Sequence, residues 1–124
     1  MKIRIKGNTV RIRLSRPEVE TFCETGLLEE RTDFLPQPFV YTIRKDDSVA
    51  ELQTVFQNGK FELLVPSSWI AGWEHSEKVG FETVLTMKNG GAFRILLEKD
   101  FKCLDETQED QSDQYENPLK IIHD

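Results

Sequence analysis

The sequence predicts a β-rich α+β protein: two ββαββ halves that form one barrel- or sandwich-like unit with two short helices. Three observations predict it. Apolar and polar residues alternate through short runs that flank Gly-Asn or Asn-Gly turn dipeptides. Helix-start signals follow the second run of each half. The same order of signals returns 51 positions later, with Ile5, Val10, Ile12, Leu14, Val19, Phe22 and Leu28 answered by Phe56, Phe61, Leu63, Val65, Ile70, Trp73 and Val79. An internal duplication is the expectation these matches raise.

In chain order, Ile3 and Ile5 alternate with Lys2, Arg4 and Lys6, and Gly7-Asn8 is a tight-turn dipeptide. Val10, Ile12 and Leu14, alternating with Arg11 and Arg13, form the returning strand. Ser15 is the expected N-cap of a helix, with Pro17 in its first turn, Glu18 closing a capping box and Gly26 ending it. Leu27–Asp33 reads as a charge-rich strand and Phe39–Arg44 as a second. Between them, Pro36 and Pro38 exclude a ladder. The polar stretch Lys45–Ser48 separates the halves, 1–47 and 48–102, of a single domain. The second half runs Leu52–Gln57, the Asn58-Gly59 turn, Phe61–Val65, and a short helix opened by Pro66-Ser67-Ser68 whose apolar face is Trp69, Ile70 and Trp73. A final hairpin, Phe81–Met87 and Phe93–Leu97, turns at Asn89-Gly90-Gly91.

Composition adds limits. Net charge is −6, yet residues 1–50 carry nine Lys or Arg and eight Asp or Glu. Residues 103–124 carry one lysine and seven acids, so the acidity belongs to a C-terminal tail, 103–124, expected to be disordered or docked on the domain. Two cysteines are too few for a disulfide framework, and Cys23 falls on the helix's apolar face, so a reduced, cytoplasmic setting is expected. The N-terminal stretch lacks the apolar core of a signal peptide, and no run is long enough to span a membrane.

The candidate sites are surfaces. Lys2, Arg4, Lys6, Arg11 and Arg13 share one face of the first hairpin. Such a face attracts nucleic acid, another protein or the chain's own tail, or it is simply solvated edge protection. The tail offers Asp105, Glu106, Glu109, Asp110 and Asp113, followed by Glu116. A calcium loop is not expected there, because no glycine supplies its turn. No metal, cofactor or catalytic constellation is expected: His75 and His123 lack partners at useful spacing, and Ser67-Ser68 reads as a cap. Trp69 and Trp73 read as core, Cys23 as a small buried hydrophobe and Cys103 as an unreactive thiol. The reading is a non-enzymatic binding module, monomeric or homodimeric, whose partner is another protein or its own tail. A DNA-binding regulator or antitoxin-like protein is the alternative.

Two resemblances accompany that reading. Lys6-Gly7-Asn8-Thr9-Val10-Arg11-Ile12-Arg13-Leu14-Ser15 before a helix resembles the swapped-hairpin family of MazE-type antitoxins and AbrB-type regulators, as does Gly59–Pro66 before the second helix. That resemblance implies interleaved hairpins and DNA contact through Arg4 and Arg13. Ser15 stands where the family has proline, and Thr54, Gln57 and Glu62 replace hydrophobic or basic residues in the second half. The chain as a whole resembles a group of uncharacterised bacterial proteins, through Lys2–Asn8, Glu98–Phe101 and Glu109–Asp113. This second resemblance implies no chemistry.

Overall fold

The structure is a computed structural model and describes residues 1–101. Eight strands and two helices follow in the order β1 (Lys2–Lys6), β2 (Thr9–Leu14), α1 (Arg16–Thr25), β3 (Leu27–Thr32), β4 (Phe39–Asp46), β5 (Gln53–Gln57), β6 (Lys60–Pro66), α2 (Ser67–Ile70), a 3-10 turn (Trp73–His75), β7 (Gly80–Thr86) and β8 (Ala92–Lys99). The turn chemistry accounts for the hairpins. Asn58 and Gly59 both take positive φ, 51° and 72°, as a type I′ turn requires, whereas only Gly7 does so in the first hairpin, which fits type II′. Helix α1 starts as its sequence directs. Ser15 Oγ accepts from the Glu18 N–H, the Glu18 carboxylate accepts from the Ser15 N–H, and Gly26 closes the helix in the left-handed region.

The strands form two open four-stranded sheets, β1-β2-β8-β7 and β3-β4-β6-β5. The arrangement is a sandwich; no barrel closes. Each sheet takes one hairpin from either half, joined in the middle by a parallel pair, β2 with β8 and β4 with β6. The two halves therefore do not bury separate cores. One apolar cluster holds Val10, Ile12 and Leu14 with Ile95 and Leu97, and also Tyr41 and Ile43 with Phe61, Leu63 and Val65. Val19 and Phe22 of α1, together with Ile70 and Trp73, cover the same cluster.

The two sheets have the same strand order and corresponding registers. Ile12 lies opposite Leu97 in one and Leu63 opposite Ile43 in the other, and all four are fully buried. Matching these pairs keeps the offset of 51 for the first hairpins (Ile12 to Leu63) and lengthens it to 54 for the last strands (Ile43 to Leu97). The extra residues enter after the helix, and they displace the expected partner of Leu28 from Val79 to Phe81. Both Leu28 and Phe81 pack against the core, whereas Val79 is exposed.

Other differences are local. The second helix stops at Ile70 instead of running on to Trp73. Gly72 enters the left-handed region with φ 75°, and Trp73 begins the 3-10 turn. The tryptophans are still packing residues. Trp73 is buried with its indole N–H donating to the Lys78 carbonyl at 2.9 Å, and both rings lie against Phe81, at 5.0 Å (Trp73) and 5.5 Å (Trp69). Cys23 is half-buried rather than fully buried.

Candidate binding surface on the basic hairpin

The register of the first hairpin puts Lys2 opposite Arg13 and Arg4 opposite Arg11. Like charges directly opposite cost roughly 0.2–1 kcal/mol per pair. The neighbouring strand relieves part of this. Parallel pairing sets Glu98 of β8 beside Arg13, and its carboxylate lies 3.1 Å from Arg11 Nε and 3.6 Å from Arg13 Nε. Lys2 Nζ reaches Asp100 at 2.8 Å, and that hydrogen bond holds the Asp100 carboxyl below its ordinary value. The same pairing brings Arg94 beside Thr9, where it pairs with Glu82 at 3.0 Å.

Arg4 and Lys6 have no carboxylate partner among the described residues. Together with Thr9 and Arg11 they line a shallow cavity of about 190 Å³. Arg11 Nε is buried and makes no hydrogen bond among the described residues, because Glu98 approaches it off the N–H axis. The Glu98 carboxylate 3.1 Å away still supplies Arg11 with a counter-charge, so the unmatched positive charge at this cavity is that of Arg4 and Lys6. All five predicted cations therefore share one face, but they divide into Lys2, Arg11 and Arg13, which are engaged, and Arg4 and Lys6, which are not.

The equivalent face of the other sheet is neutral. Val55, Gln53 and Gln57 stand where the first sheet has Arg4, Lys2 and Lys6. Arg31, Arg44 and Lys60 all find acids there: Arg31 with Asp33 at 2.6 Å, Arg44 with Glu62 at 3.2 Å, and Lys60 with Glu62 at 3.6 Å. The Arg44–Glu62 pair occupies the position of Arg11–Glu98 with the charges exchanged between strands. Sequence reasoning missed Glu98, Arg94 and Glu82 as members of the basic face, since only the pairing of β2 with β8 brings them there.

A second feature, also not foreseen, is a cleft of about 580 Å³ between α1, the 3-10 turn and the end of β8, lined in part by Arg16, Glu20, Glu74, Lys99 and Phe101. Near it, burial and the neighbouring Glu74 push the Cys23 thiol up to about 11, and its Sγ donates to the Ile70 carbonyl at 3.4 Å. A thiol held protonated is a poor nucleophile. His75 is exposed beside Glu74. Among the described residues no group of three or more His, Cys, Asp or Glu could hold a metal ion, and no helix is long and apolar enough to cross a membrane. The tail candidates Asp105, Glu106, Glu109, Asp110 and Asp113 lie outside the described residues.

Residues 1–119 match the family described as "Family of unknown function (DUF7009)". The chain belongs to that family. The match spans both sheets, α1 and much of the tail, so the fold described above is that of a member of this family. No curated protein and no solved structure matches the chain. The exchange of hairpins between halves is thus a property of this member's pairing, and the likeness to antitoxins and regulators remains one of pattern.

Proposed function

We propose that this protein is a non-enzymatic interaction module that docks an acidic polypeptide segment on the β1–β2 face. The observation that carries this reading is the pair Arg4 and Lys6, unengaged among the described residues, on a face whose counterpart in the other sheet is neutralised. Among the described residues, the six cations of the basic face (Lys2, Arg4, Lys6, Arg11, Arg13 and Arg94) stand against three acids, Glu82, Glu98 and Asp100.

The same arrangement argues against duplex DNA as the preferred partner. Affinity for duplex DNA rests on Lys and Arg that are free to neutralise many phosphates. Here Lys2, Arg11, Arg13 and Arg94 would have to leave carboxylates before they could contribute. A short acidic segment asks for less: two carboxylates suffice for Arg4 and Lys6, which no acid engages among the described residues. The chain's own tail has this chemistry and would compete for the same face. We place the chain in a reducing, cytoplasmic setting, which is supported by its two cysteines being too few for a disulfide framework.

Fluorescence anisotropy at low ionic strength tests the reading, with a labelled glutamate-rich decapeptide and a labelled duplex as probes and the full chain as receptor. The peptide is expected to bind, to weaken as salt rises, and to be lost on Arg4→Glu/Lys6→Glu. Neutralising the acids of residues 103–116 should tighten peptide binding if the tail competes. Duplex binding stronger than peptide binding would favour the DNA alternative and overturn this proposal.

A further inference from the structure

Each sheet has two outer strands, β1 and β7 in one and β3 and β5 in the other. An outer strand presents unpaired N–H and C=O groups that template another strand, and proteins commonly blunt such edges with charge. Three of the four edges follow that rule: β1 carries Lys2, Arg4 and Lys6, β3 carries Glu29, Glu30 and Arg31, and β7 carries Glu82. Strand β5 reads Gln-Thr-Val-Phe-Gln and has neither charge nor proline. Among the described residues it pairs only with β6. Val55 and Phe56 are 38% and 67% exposed.

We propose that β5 is a self-association edge, at which two copies of this chain pair their β5 strands antiparallel about a two-fold axis through Val55. The sequence is self-complementary in that arrangement. Gln53 meets Gln57 of the partner, Thr54 meets Phe56, and Val55 meets itself, with no like charges opposed. Hairpin geometry supplies the hydrogen bonds. The type I′ turn makes Gln57 and Lys60 a hydrogen-bonded pair, so the inward bonds of β5 alternate through Gln57, Val55 and Gln53. The N–H and C=O of Thr54 and Phe56 therefore point outward. Antiparallel pairing about Val55 matches these groups to each other in both directions and leaves Val55 in a close, non-hydrogen-bonded pair.

The equivalent edge, β1, shows why the choice falls on β5. Pairing β1 with itself in the same way would set Arg4 against Arg4 and Lys2 against Lys6, so that edge repels its own copy. One geometry occurs twice in the molecule, guarded in β1 and unguarded in β5. An edge five residues long buries less than the roughly 1,000 Å² of a durable interface, so dimers should accumulate only at protein concentrations on the order of 0.1–1 mM.

Sedimentation velocity over that range, on the full chain, tests the proposal through a charge pair at the axis. Wild-type protein should shift towards dimer as concentration rises. Val55→Lys and Val55→Glu should each remain monomeric, because each opposes its own charge, and an equimolar mixture of the two should dimerise again. Recovery in the mixture also shows that both variants are folded. Wild-type protein that stays monomeric at 1 mM would overturn the proposal, leaving the edge to a strand of a different protein. So would a dimer that persists in Val55→Lys, or a mixture that fails to recover.

Discussion

At the scale of single residues, the exchanged sheets depend on a few side chains that no water reaches. Ile12, Leu63, Ile43 and Leu97 face one another across the two parallel pairs and are fully buried. Truncating one, as in Ile12→Ala, should cost roughly 2–5 kcal/mol in urea unfolding. Ile5→Ala, at a position 63% exposed, should change stability by about 0.5 kcal/mol or less. A polar contact marks the same equivalence. The Met1 α-amino group donates to Glu30 at 2.7 Å and also to Glu18, while at the matching place in the other half the Leu52 N–H donates to Thr83 Oγ at 3.2 Å. Glu30 further accepts from the Tyr41 hydroxyl at 2.9 Å. The two sites share a geometry, and the chemistry differs because one nitrogen is an ammonium and the other an amide.

That ammonium makes stability depend on pH in two directions. Burial alone would lower the Met1 amine, but hydrogen bonds and charge from Glu18 and Glu30 outweigh it and raise the amine above 8.0. Burial likewise opposes ionisation of Glu18, while its bonds to the ammonium and to Ser15 hold it below 4.5. A raised amine stabilises the fold below 8.0 and loses that contribution as pH climbs through its folded value. A depressed carboxylate stabilises above 4.5 and loses its contribution as pH falls through its folded value. Wild type should therefore exceed Glu18→Gln in urea midpoint most between about pH 4.5 and 8.0, with the gap closing on both sides. A gap that stays constant across pH would mean the pair contributes nothing through charge.

At the scale of elements, the strands and α1 were legible because their signals are local. Gly-Asn and Asn-Gly mark turns through positive φ, and Ser15 with Glu18 marks a helix start through two reciprocal hydrogen bonds. Ser15→Ala should cost about 1 kcal/mol for that reason. The second helix is present, but its end is hidden in the sequence because the apolar spacing of Trp69, Ile70 and Trp73 fits a continuous helix, while Gly72 between them takes the left-handed region. Gly80 opens β7, one residue before the strand start that the sequence suggests. A methyl group there would sit 2.3 Å from the Leu97 carbonyl oxygen and 2.8 Å from Glu98 Cα, both backbone atoms that cannot step aside cheaply. Gly80→Ala should destabilise by about 1–3 kcal/mol, seen as a lower thermal midpoint, although glycine to alanine usually favours a strand.

At the scale of the whole molecule, the parallel joins β2–β8 and β4–β6 decide both core and surface, and they were the part hidden from the sequence. Residues such as Arg13 and Glu98 lie far apart in the chain, and no local pattern announces that they are neighbours. The five cations of the first hairpin were legible by alternation alone. That Glu98 and Asp100 would engage three of them, leaving Arg4 and Lys6, was not. The two sheets share a geometry and diverge in charge: one outer face neutralises its cations, and the other keeps an excess around a cavity.

The central claim is that this excess is a docking face. Backbone amide shifts of the full chain, followed as a glutamate-rich peptide is added at low salt, test it most directly. The account predicts that the largest changes fall on Arg4, Lys6, Thr9 and Arg11, with the β3-β4-β6-β5 sheet unmoved. Changes centred on that second sheet, or none anywhere, would contradict it.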